Sequence, residues 1–117
     1  MKLFDAELSL MKVLWEEGEA TAKRLSDIMK ETVGWKKTTT YTMIKRCADK
    51  GAIERIAPNY LCRPLITIED VREYETSELI NKMYNGTANR LVASLLGGKR
   101  LSKDEIAELK QIVQNLE

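Results

Sequence analysis

Lys37-Thr38-Thr39-Thr40-Tyr41-Thr42-Met43-Ile44-Lys45-Arg46-Cys47-Ala48-Asp49-Lys50 divides into two faces when wound at 3.6 residues per turn. Thr40, Met43, Ile44, Cys47 and Ala48 share one face. Thr38, Tyr41, Thr42, Lys45 and Asp49 lie on or near the opposite one, which is polar and largely basic. Upstream, Thr32-Val33-Gly34 breaks the chain and Trp35 opens the segment. Before the break, Thr21 caps a short helix with an inner face of Ala22, Leu25, Ile28 and Met29. A first helix runs from Asp5, taken as its N-cap, through Leu8, Met11, Leu14 and Trp15 to the stop at Glu16-Glu17-Gly18. Trp15 and Trp35 read as core aromatics at helix ends.

Downstream, Gly51 ends the third helix, and Ala52 to Ala57 alternates apolar with polar as a strand does. Pro58-Asn59 supplies a turn, and Tyr60 to Arg63 a short return strand that Pro64 cuts off. Helix, helix, helix, hairpin is the order of a winged helix-turn-helix domain, assigned to residues 1–66, with the wing at 53–63.

Residues 67–117 read as three further helices. Val71, Tyr74, Leu79, Ile80 and Met83 give helical spacing from Glu69 to Tyr84, closed by Asn85-Gly86. A fifth helix starts at Thr87 with a stripe of Leu91, Val92, Leu95 and Leu96 and closes at Gly97-Gly98. Ser102-Lys103-Asp104-Glu105 is a capping box for the sixth, whose stripe is Ile106, Leu109, Ile112, Val113 and Leu116. A segment this short scarcely buries such stripes alone, so a partner chain is expected. The fold class is mainly α with a small β-hairpin wing, followed by a helical dimerisation segment. Ile80, Met83, Tyr84 and the stripes of the last two helices are the candidate dimer contacts.

Composition narrows the chemistry. The chain has 117 residues and no His, which removes His-based triads and His-zinc sites. Two Pro, six Gly and 6% aromatics argue against a β-sandwich. Cys47 and Cys62 stand 15 residues apart without CxxC pairing, so neither a disulfide framework nor a metal site is expected, and no cofactor. Cys47 falls on the inner face of the third helix, and Cys62 lies more openly in the wing. Met1-Lys2-Leu3-Phe4-Asp5 reaches an acidic residue before any apolar run forms and is not expected to be a signal peptide, and no stretch has the length of a membrane span, so a cytoplasmic location is expected. No pair of carboxylates stands out as catalytic, and no enzyme activity is expected.

The net charge of +1 conceals an asymmetry. Residues 1–66 carry 12 basic and 9 acidic side chains; residues 67–117 carry 7 and 9. Within 35–55, Lys36, Lys37, Lys45, Arg46, Lys50 and Arg55 face only Asp49 and Glu54. Charge alone fits a solvated helix face equally well, but the helix-turn-helix order favours double-stranded DNA. Thr38, Tyr41 and Thr42 are placed to meet bases. Lys36, Lys37, Lys45 and Arg46 are placed to hold phosphates, and Arg55 or Arg63 to extend the contact from the wing. The competing reading is a protein-binding winged helix that turns the same basic face to an acidic partner.

The residues also resemble a family, the BlaI/MecI/CopY penicillinase repressors, along nearly the whole chain. Asp5-Ala6-Glu7 and Met11-Lys12-Val13-Leu14-Trp15 begin the likeness. Trp35, Thr39, Thr42, Arg46 and Lys50-Gly51 look like the family's W-S-x-x-T-V-x-T-x-L-x-R-L-x-x-K-G core, which adds Thr39 to the candidate DNA contacts. Tyr84-Asn85-Gly86-Thr87 and Leu101-Ser102 to Leu109 complete it. The resemblance implies a homodimeric repressor that reads a dyad operator and is released by a signal. In antibiotic-responsive members a membrane-linked protease pathway cuts an Asn-Phe bond in the dimerisation segment, and the similar position here is Ser94-Leu95. Lys36-Lys37-Thr38 replaces the common Ser-Pro-Lys, which implies a different base preference. Thr40, Cys47 and Ala48 replace family Val and Leu and leave a smaller core side. Copper-sensing members carry a CxCxxxxCxC tail; without one, copper sensing through that motif is not expected.

Overall fold

A computed structural model describes residues 1–116. Its elements run α1 (Asp5–Glu17), β1 (Ala20–Thr21), α2 (Ala22–Thr32), α3 (Lys37–Asp49), β2 (Ile53–Ile56), β3 (Leu61–Pro64), α4 (Ile68–Met83), α5 (Ala88–Gly97) and α6 (Lys103–Asn115). The mainly helical class with a small wing is what the sequence order predicts. Two compact units are present, residues 1–75 and 76–117.

In the first unit the inner faces of α1, α2 and α3 meet in one core of Leu10, Met11, Leu14, Leu25, Met29, Ile44 and Cys47, each almost fully buried. Ala52, Ile53 and Cys62 extend it from the sheet, and Val71 closes it from the start of α4. Trp15 packs at the edge and donates its indole N–H to the Ile66 carbonyl at 2.8 Å, tying the end of α1 to the segment leaving the wing. An indole that is partly buried needs such an acceptor.

Several local expectations change. The N-cap of α1 is Phe4, whose backbone N–H donates to Glu7 Oε1 at 2.7 Å; Asp5 is the first helical residue, where its charge favours the helix dipole. The helix starting α4 begins at Ile68, one residue earlier than predicted, because Thr67 and Asp70 cap each other reciprocally. The wing is three-stranded: β1 pairs with β3, setting Ala20 opposite Cys62, in the order β1-β3-β2. Two residues carry no periodicity, so β1 left no sequence signal.

Cys62 is fully buried, since β1 covers the strand that would otherwise be a sheet edge. Pro64, expected to cut the return strand off after Arg63, is instead the last residue of β3, paired with Ile53. Leu65 N–H donates to Ala52 of the β2 side, so by alternation the Pro64 nitrogen faces away from β2. There β1 has already ended, and the missing donor leaves no ladder bond unmade.

The second unit has a different character. Tyr84 O–H and Ser94 Oγ lie 3.2 Å apart, and Ser102 and Glu105 form the predicted capping box at the start of α6. None of residues 76–116 is buried. Met83, Ile112, Val113 and Leu116 are each more than half exposed.

Candidate nucleic-acid interface

The site is built on the turn between α2 and α3. Val33 and Trp35 N–H groups both donate to the Met29 carbonyl, and Gly34 N–H donates to Lys30. Gly34 takes φ +80°, the left-handed conformation that glycine adopts without strain, and the chain reverses there. Lys36 is then extended at the N-cap of α3.

Three inward residues set the roll of α3. Thr40, Ile44 and Cys47, spaced four and three apart, are buried. Lys37, Thr38, Tyr41, Thr42, Lys45 and Arg46 are consequently exposed, and Thr39 is half-buried at the boundary. Thr42 donates its hydroxyl to the Thr38 carbonyl at 2.9 Å, which orients its methyl and lone pairs outward. Lys37 Nζ sits 5.6 Å from the centroid of the Tyr41 ring, within cation–π range.

The cations differ in what they already hold. Lys36, Lys37, Arg46 and Arg55 form no ion pair among the described residues. Lys45 pairs with Asp49 at 3.0 Å, one turn along on the exposed surface. Arg63 pairs with Glu19 at 3.1 Å. Arg55 stands opposite Cys62 in the ladder, so Arg63, the next residue of β3, points from the other face of the sheet. Arg55 therefore joins Tyr41 and Lys45 around one cleft between wing and helix, whereas Arg63 does not.

Lys50, part of the basic run in sequence, turns inward. Its Nζ donates to Glu7 Oε1 at 2.5 Å and to the Lys2 carbonyl at 3.0 Å, and lies 4.3 Å from the Phe4 ring centroid. Burial pushes the Glu7 pKa up, but the hydrogen bonds from Lys50 and Phe4 and the charges of Lys50 and Arg46 outweigh it, holding the carboxyl below its ordinary value. This pair joins the start of α1 to the end of α3. Nothing in the local pattern around Glu7 or Lys50 distinguishes it from surface charge.

Tyr60, expected from the sequence to open the return strand, instead ends the wing turn at φ +50°, with its ring largely exposed. Its carbonyl accepts from Ala22 N–H at 3.0 Å, fixing the wing turn to the start of α2. Burial pushes the Cys47 thiol up to about 12, with the Glu7 charge adding to the shift and Lys50 opposing it. Burial likewise raises the Cys62 thiol, against the opposing charge of Arg55. Neither is poised as a nucleophile. No group of His, Cys, Asp or Glu able to hold a metal ion occurs among the described residues.

Three helices, a recognition-type helix with an exposed basic face and a small three-stranded wing define the winged helix-turn-helix class. The penicillinase repressor family model matches residues 3–115. The chain belongs to that family. It is 32% identical over 115 residues to the penicillinase repressor of Bacillus licheniformis, covering 97% of this chain and 90% of the relative. It is 30% identical over 114 residues to the methicillin resistance regulatory protein MecI of Staphylococcus aureus strain N315, covering 96% and 93%. The solution structure of the DNA binding domain of the repressor BlaI superposes with a TM-score of 0.55 at 28% identity, over 59% of this chain and 87% of that one.

Proposed function

We propose that this chain is a dimeric transcriptional repressor that occupies a dyad-symmetric operator, with α3 in the major groove and the wing beside it. The carrying observation is the α3 face. Thr38, Tyr41 and Thr42 are exposed between Lys36, Lys37 and Arg46, cations that form no ion pair among the described residues. Such cations are available to phosphates, and the hydroxyls and the Thr42 methyl to base edges. Thr39 and Lys45 flank that set, and Arg55 adds a cation from the wing side of the same cleft. Arg63 contributes only after leaving Glu19.

Dimerisation is supported by the second unit. Three helices in which no residue of 76–116 is buried have no core of their own. Residues 67–117 serve as the pairing segment, with Leu91, Val92, Leu95 and Leu96 of α5 and Ile106, Leu109, Ile112, Val113 and Leu116 of α6 against the partner. Ile80 and Met83 at the end of α4, and Tyr84 just after it, precede them in sequence. Splitting the dimer removes the gain from two linked half-sites and releases the DNA. Proteolysis at Ser94-Leu95 is one route. Those residues lie inside α5, and Ser94 is half-buried against Tyr84, so cutting there requires the helix to open locally.

Selection of bound sequences from a random duplex pool tests this function. A recovered dyad motif, bound with steep salt dependence and preferred over random duplex, supports it. Salt-dependent attraction without sequence preference favours the reading of a basic face for an acidic protein partner.

A further inference from the structure

The cleft between α3 and the wing has features that DNA contact alone does not require. It is an open cleft of about 410 Å³, lined by Ala22, Tyr41, Ile44, Lys45, Arg55 and Tyr60. Ala22 and Ile44 are buried and form an apolar floor. Tyr41 and Tyr60 are exposed aromatic walls, one from the helix and one from the wing turn. The volume lies in the range of small-molecule sites, which are mostly apolar with a few convergent polar groups.

We propose that this cleft is a binding site for a small planar aromatic carboxylate. The apolar floor and the two tyrosine rings suit an aromatic ring, which stacks or packs edge-on against such walls. Arg55, which makes no ion pair among the described residues, presents a planar fork that matches a carboxylate with two parallel hydrogen bonds. Lys45 is the weaker cation, because Asp49 already holds it. A compact, fully hydrated anion such as inorganic phosphate has no use for the apolar floor, and an uncharged aromatic leaves Arg55 unpartnered.

Occupancy would set an anion among side chains assigned to DNA, so the ligand would lower operator affinity. That consequence rests on the DNA-binding reading; the site does not.

Benzoate, benzyl alcohol and inorganic phosphate, titrated separately into the full chain without DNA while the tyrosine ring signals are followed by NMR, test the site directly. Benzoate is expected to shift the Tyr41 and Tyr60 signals saturably, and the other two are not. Arg55→Gln should raise the benzoate Kd about tenfold, the loss of one charge-assisted contact. Tyr60→Asn, which keeps a residue type tolerant of positive φ, should weaken benzoate without changing the helical circular dichroism. No saturable shift with benzoate, or equal shifts with benzyl alcohol, overturns the site. The same titration with the selected duplex present reads the consequence. Competitive loss of duplex binding supports it, and saturable benzoate binding at unchanged duplex affinity overturns competition while leaving the site standing.

Discussion

Thr42 donates its proton to its own helix, so it faces the solvent as an acceptor with a methyl group. That arrangement suits an amino group on a base edge or the thymine methyl. Thr42→Ala is expected to weaken specific binding by about 1 to 3 kcal/mol and relax sequence preference at one position. Lys37→Ala should weaken all duplexes alike and reduce the salt slope by about 1, as expected when one phosphate contact is lost. Titrations of both variants on selected and random duplexes across a salt series separate the two effects. Unchanged specific affinity in both would remove α3 from the interface. Glu7 makes a prediction of another kind. Its folded-state pKa lies below its ordinary value, so its contribution to stability is fully present above that value and is lost as pH falls through the lowered one. Urea midpoints should therefore drop on the acid side, and Glu7→Gln should flatten that part of the profile. Cys47, raised to about 12, should resist alkylation at neutral pH until the chain unfolds, as mass spectrometry of the native and denatured protein would show.

At the scale of elements, the helices were legible because period and caps agreed. Thr40, Ile44 and Cys47 were placed inward by spacing alone, and the structure buries all three. The S-x-x-E box of α6 appears as both of its hydrogen bonds. Ser102→Ala should cost about 1 kcal/mol, within a range of roughly 0.5 to 2, measured as a lower thermal midpoint. What local pattern missed depended on distant partners. β1 exists because Leu61 and Cys62 offer it a ladder 40 residues on, and that pairing also hides Cys62. Likewise, spacing put Arg55 and Arg63 together in one wing. Pleat and register direct Arg55 to the α3 cleft and Arg63 to Glu19. Lys50 counted as part of a basic run until packing set it against Glu7.

For the whole molecule, the second unit leaves its apolar side chains uncovered, from Met83 in α4 to Leu116 beyond α6. Ile112→Glu, which puts a charge into the proposed contact, is expected to shift the protein to monomer in sedimentation equilibrium while leaving residues 1–75 folded. The monomer should bind a full dyad no better than a half-site, whereas the parent chain should gain about 10²- to 10⁴-fold from linked half-sites roughly 34 Å apart. A full-length parent that sediments as a monomer and shows no such gain would remove the dimer from the proposal. The sequence by itself determined the helix-turn-helix order, the division into a basic and an acidic part, and the family likeness, because those depend on local periodicity, capping and composition. Only the tertiary structure decided which cations remain unpaired, which cysteine is covered, and that two tyrosines and an arginine line a cleft. Those outcomes arise from contacts between residues far apart in the chain, and no local pattern encodes them.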